Sequence, residues 1–114
     1  MKKAVNSILI LATVGLFYLS APIAFGADFF TSNIRLGSRG TEIRKVQEFL
    51  TDQGLYTGPI TGNFYSLTLK AVKAFQLREG IIPRSGYWGN LTRARANQII
   101  ALEIAEAESE ANSE

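Results

Sequence analysis

The sequence predicts an all-α fold: a compact three-helix bundle with two related glycine-rich loop-to-helix turns, preceded by a signal peptide. Three observations carry that expectation. Three stretches place apolar residues at helical spacing, each bounded by glycine or a capping residue. One seven-residue turn is used twice, as GNFYSLT at Gly62–Thr68 and GYWGNLT at Gly86–Thr92, 24 residues apart. The chain also begins with a basic start and an almost unbroken apolar run.

That beginning has the layout of a secretory signal. Met1-Lys2-Lys3 is basic, Ile8 to Leu19 is apolar, and small residues follow at Ala21, Ala24, Gly26 and Ala27. Cleavage is expected after Gly26 or Ala27, so residues 1–26 are assigned to the signal. An uncleaved segment would be an anchor helix, and it is the one membrane attachment the sequence allows for. Residues 27–33 are a lead-in, and turn residues continue at Gly37, Ser38 and Gly40. The domain itself is placed at 34–102.

The first helix is expected over Thr41–Gln53. Ile43, Val46, Phe49 and Leu50 form its apolar face, Thr41 or Ser38 can cap it, and Gly54 stops it. The loop LYTGPITG follows and leads into the first copied turn. Ser66 stands where a cap would stand before a second helix over Ser66–Glu79. Leu69, Val72 and Phe75, with Ala71 and Leu67, are its expected face, and Gly80 closes it. Pro83 keeps the loop IIPRSG out of helix. The second copied turn then opens a third helix over Asn90–Ala105, with Asn90 as cap and Leu91, Ile99 and Leu102 as apolar positions. Fraying is expected beyond Ala105, where Ala and Glu dominate and little can be buried. Residues 103–114 form an acidic tail.

Each copied turn is therefore a helix entrance. Gly62 and Gly86 allow backbone angles that other residues resist. Phe64 and Trp88 can tuck into the core. Thr68 and Thr92 bring hydroxyls to the first helical turn, where backbone groups are free.

Composition excludes several chemistries. There is no cysteine and no histidine. Disulfides, thiolate metal sites, the usual zinc ligand and the Ser-His and Cys-His dyads go with them. Ten basic residues stand against five acidic ones between Asp28 and Ile100, whereas the tail carries five glutamates and no base. A basic body suits an anionic polymer such as cell-wall glycan, teichoic acid, lipid head groups or nucleic acid. A solvated surface of mixed charge explains the same count. The export signal argues against nucleic acid.

LGSRGTEIRKVQEFL, GLYTGPITGNFYSLTLKAVKAFQ and IIPRSGYWGNLT together resemble the peptidoglycan-binding domain type 1, a three-helix module of bacterial wall hydrolases. The residues in register include Leu36, Gly37, Gly40, Gln47, Leu50, Gly54, Gly58, Gly62, Phe64, Thr68, Ala71, Val72, Phe75, Gln76, Gly86, Gly89 and Thr92. The match runs from about Ile34 to about Ile99. Two departures stand out. Thr61 and Ser85 occupy the positions of the family's aspartates, and Tyr65 replaces a glycine. Either hydroxyl can still cap locally, so the departures bear on binding and not on the fold.

The resemblance implies non-catalytic recognition of peptidoglycan, through its glycan, its stem peptide or both. Such a surface needs flat aromatics and amide groups, because sugars stack on rings and peptides hydrogen-bond to amides. Tyr56, Asn63, Tyr65, Tyr87 and Trp88 are the candidate ligand-binding residues. Core packing is the competing role for Trp88, and for Phe64 it is the favoured one. Gln47 and Gln76 are family-typical, and bonding the loop backbone is their expected role. Glu42, Glu48, Asp52 and Glu79 sit within helices or at their ends, and none accompanies a turn of active-site type. No enzyme activity, catalytic residue, metal or cofactor is expected. The reading is an exported monomer of the periplasm, cell wall or extracellular space that binds peptidoglycan. A secreted three-helix domain that binds a protein partner is the alternative.

Overall fold

The computed structural model describes residues 28–113, and three helices account for most of them: α1 at Thr41–Asp52, α2 at Ser66–Glu79 and α3 at Asn90–Asn112. The fold is all-α, and no strand occurs among the described residues. The expected signal peptide over residues 1–26 lies outside them. No described helix is long and apolar enough to cross a membrane. By packing, Phe30–Asn97 form one unit, and residues 28–29 and 98–113 fall in another.

Helix α1 forms as its periodicity requires, with Ile43, Val46, Phe49 and Leu50 buried. Gln47 is buried beside them. Gly40 holds the cap position, so neither Thr41 nor Ser38 caps α1. The Ser38 hydroxyl instead accepts a bond from the Arg35 amide. Helix α2 buries Ala71, Val72 and Phe75 and ends at Gly80 in the left-handed conformation. Leu67, expected on that face, is exposed. It neighbours the buried Thr68 in the first turn and so points away from the face that Thr68, Ala71, Val72 and Phe75 share.

Helix α3 differs most from expectation. Leu91 is exposed, and within the Phe30–Asn97 unit the buried positions are Thr92 and Ala96, one turn apart. The helix does not fray at Ala105 but runs to Asn112, where the Ser113 amide donates to Ser109 O at 3.1 Å. Ala and Glu are strong helix formers, and here propensity outweighs the lack of an apolar stripe. Ser66 and Asn90 are the first residues of their helices, not caps before them.

The core of the Phe30–Asn97 unit is a ring cluster. Phe30 meets Trp88 at 5.1 Å and Phe49 at 5.5 Å between centroids, and Phe49 meets Phe75 at 5.4 Å, all edge to face. Phe30 lies in the stretch expected to be mere lead-in, yet it is fully buried. Its amide donates to Asn97 Oδ1 at 2.8 Å, and its carbonyl accepts from Asn97 Nδ2 at 3.1 Å. The core thus begins at Phe30, four residues before the expected boundary at 34.

An extended strap follows Phe30 and touches both copied turns. Ile34 exchanges backbone bonds with Trp88 at 2.9 and 2.8 Å. Gly37 N donates to Phe64 O, Phe64 N to Ser38 O, and Gly40 N to Gly62 O, at 2.8, 2.9 and 2.9 Å. The strap therefore holds the two helix entrances side by side through main-chain bonds.

Two carboxylates are drawn into this frame. Glu79 takes Arg78 at 2.6 Å and Arg95 of α3 at 2.7 Å. Partial burial pushes its carboxyl up, but the two guanidinium groups outweigh that and hold it below the usual range. Glu42 behaves alike: Lys45 and the Thr31 and Ser32 amides override the burial effect and lower it.

Candidate functional site

The candidate site is built on two matching latches. In the first, Gln47 of α1 reaches the first copied turn. Its Oε1 accepts from the Thr61 and Gly62 amides at 3.0 and 2.9 Å. Its Nε2 donates to Asn63 O and Thr68 Oγ1, both at 3.1 Å. Other oxygens lie farther off, at 3.3 Å for Thr61 Oγ1 and 3.5 Å for the Tyr56 hydroxyl, and an amide has two hydrogens to give. In the second latch Gln76 of α2 does the same for the second turn. Its Oε1 accepts from Gly86 N at 2.8 Å, and its Nε2 donates to Tyr87 O at 2.9 Å and Thr92 Oγ1 at 3.0 Å. Each glutamine thus bonds the loop backbone, as expected, and each threonine completes a latch.

The glycine that opens each turn is required by its backbone angle, and Gly86 by close packing as well. Gly62 and Gly86 have φ of 81° and 85°, which side chains resist. A methyl group at Gly86 would also lie 2.2 Å from Leu69 Cδ1. Thr61 and Ser85, which stand where aspartates were expected, do cap locally. Their hydroxyls accept from the Asn63 and Tyr87 amides at 3.1 and 3.2 Å.

Between glycine and helix each turn is extended, so side chains alternate between core and solvent. Phe64 and Trp88, the matched aromatics, both face inward, and each is 0% exposed. Trp88 is a core ring and offers no face to a ligand, which corrects its place among the binding candidates. Tyr56 is corrected likewise. It is 5% exposed, and its hydroxyl donates to Pro59 O at 2.7 Å. Tyr87 and Tyr65 are open to solvent, at 43% and 53%, and Asn63 is half-buried. The structure therefore keeps three of the five candidates at the surface, Asn63 and Tyr65 at the first turn and Tyr87 at the second.

Beside Tyr87 a shallow open cleft of about 160 Å³ is lined by Ile82, Pro83, Ser85, Asn90 and Leu91, with Gln76 and Thr92 reaching its floor. None of the lining side chains is charged. The sequence reading passed over Ile82, Pro83 and Leu91. Ile82 and Pro83 are apolar residues of a loop, outside any helical periodicity. Leu91 was assigned to the core instead. Gly89 also belongs to this site, since a methyl there would lie 2.6 Å from Tyr87 Cε2. The bare glycine gives the Tyr87 ring room to lie against the turn.

Among the described residues no group of acidic side chains is arranged to hold a metal ion. The chemistry on offer is neutral: an aromatic face, aliphatic walls and amide and hydroxyl groups.

Comparison with known proteins agrees with this architecture. The chain matches a family described as a peptidoglycan binding domain over residues 39–95, half of its length. It is similar to a solved structure, the crystal structure of SleB N-terminal domain, with 29% sequence identity and a TM-score of 0.57. That similarity covers 67% of this chain and 97% of the other. No curated protein matches. The family match takes in both glutamine latches and both copied turns, and the chain belongs to the peptidoglycan binding domain family.

Proposed function

We propose that the protein binds peptidoglycan without cleaving it, as an exported domain of the periplasm, cell wall or extracellular space. The observation that carries this reading is an open, uncharged cleft beside an exposed tyrosine, in a chain of the peptidoglycan binding domain family. Tyr87, Tyr65 and Asn63 are the surface residues through which it makes contact. The latches support such a role because they fix the turn backbone before ligand arrives, so little ordering cost remains at binding.

The carboxylates support the absence of catalysis. A glycosidase needs one carboxylic acid with a raised pKa beside a second that stays ionised. Glu42 and Glu79 are both shifted downward and engaged in ion pairs. Glu48 and Asp52 are exposed on α1.

Sedimentation with purified insoluble peptidoglycan tests the proposal. The folded chain is expected in the pellet, with no soluble sugar or peptide released. Raised salt should weaken binding only in part, since ring stacking and amide bonds are not ion pairs. A folded chain left in the supernatant at low salt would favour a protein partner. Released fragments would overturn the non-catalytic reading.

A further inference from the structure

The two copies differ in what covers the latch. At the first, the Tyr56 ring covers it. A methyl group at Gly58 would lie 2.9 Å from Tyr56 Cζ and 3.1 Å from Leu67 Cδ1, so the ring and Leu67 flank one spot. The ring's hydroxyl stands 3.5 Å from Gln47 Nε2. At the second copy Gln76, Leu91 and Thr92 take the places of Gln47, Leu67 and Thr68. The residue in the place of Tyr56, counted from the glycine that ends each helix, is Ile82, which is 71% exposed. The second loop is also two residues shorter, Gly80 to Gly86 against Gly54 to Gly62. The first copy is plugged by its own side chain, and the second is the open cleft.

Gln76 shows the same difference. Gln47 Oε1 accepts two amides, whereas Gln76 Oε1 accepts one, Gly86 N.

We propose that the cleft beside Tyr87 is the principal ligand pocket and that it takes one N-acetylhexosamine unit of the glycan, not the stem peptide. This rests on the peptidoglycan reading and narrows it to one turn and one moiety. The first copy is a structural counterpart whose pocket Tyr56 fills. Ile82, Pro83, Leu91 and the Tyr87 ring receive the acetamido methyl and the apolar face of the sugar. Ser85 and Asn90 line the same cleft and supply polar groups. Stem peptides carry carboxylates, and a cleft with no charged lining residue offers nothing to offset their loss of water.

The test is an amide-resolved NMR titration of the full chain with two probes, neutral chitotetraose and a free stem pentapeptide, alongside sedimentation with whole peptidoglycan. Chitotetraose is expected to shift Ser85, Tyr87, Asn90 and Leu91 most, with lesser shifts at Asn63 and Tyr65 and none at Tyr56. Leu91→Glu, at a solvent-exposed position, should weaken the sugar roughly tenfold or more, through a lost apolar wall and a buried charge. Leu67→Glu, its counterpart at the plugged copy, should stay within about twofold. Gly89→Ala, which pushes the Tyr87 ring aside, should also weaken binding. Pelleting with whole peptidoglycan, but with shifts from the peptide alone or shifts centred on Tyr56–Thr68, would overturn the inference and leave the binding reading intact. Failure to pellet would remove both.

Discussion

Replacing Gln76 with leucine is expected to cost about 4 kcal/mol, most of the reserve of a domain this small. Gln76 is 1% exposed, and its amide serves three groups: Gly86 N, Tyr87 O and Thr92 Oγ1. Leucine roughly keeps the volume and strands all three. The Thr92 hydroxyl can turn toward its own helix. The two backbone groups cannot, and each stranded buried group costs about 1–3 kcal/mol. For a domain of this size that corresponds to a fall in Tm of roughly 15–30 °C, read by far-UV circular dichroism. Gln76→Glu sharpens the test. Its carboxylate still accepts from Gly86 N but cannot donate to Tyr87 O, and burial raises its pKa. A folded-state pKa above the unfolded one gives stability that is present below the unfolded value and lost as pH rises through the folded one. Gln76→Glu should therefore melt higher at about pH 4 than at pH 7. A Gln76→Leu chain that melts within about 3 °C of the parent would refute the idea that the latches carry the fold.

Three further outcomes follow from the same geometry. Phe30→Ala should destabilise by about 3–5 kcal/mol, because its ring is fully buried against Phe49 and Trp88; an unchanged melting temperature would return Phe30 to the lead-in. Glu79 has a lowered folded-state pKa, so its contribution is present above the ordinary value of 4.5 and lost as pH falls through the depressed one. Glu79→Gln should accordingly flatten the acid side of the stability profile, which a set of melts from pH 7 to about pH 3 would show. Gly86→Ala should cost more than Gly54→Ala, since both sites have positive φ but only Gly86 would also press on Leu69; denaturant midpoints for the two variants decide it.

How much of this was legible in the sequence depended on the kind of order each segment uses. The ends of α1 and α2 could be read to within a residue, because apolar periodicity ran straight into Gly54 and Gly80. The end of α3 could not, because alanine and glutamate form helix by propensity and leave no stripe to read. The burial of Phe30 and Ile34 was missed for another reason. They sit in extended backbone whose bonds go to Trp88 and Asn97, far along the chain, and no local pattern announces such partners. The burial of Trp88 was within reach, since the copied turn pairs it with Phe64, whose inward role was clear. The cleft was not, because it arises from what the second copy lacks relative to the first.

The bond between Phe30 and Asn97 closes a span of 67 residues. Helical bundles usually fold fast because most of their contacts are local. Here the helices are local, but the strap is not. It must meet residues 62–64, then 88, then 97, and each closure carries its own entropic cost before the ring cluster repays it. During synthesis α1 and α2 leave the ribosome while Phe30 still has no partner on α3. The native core is therefore sealed only after Asn97 has emerged.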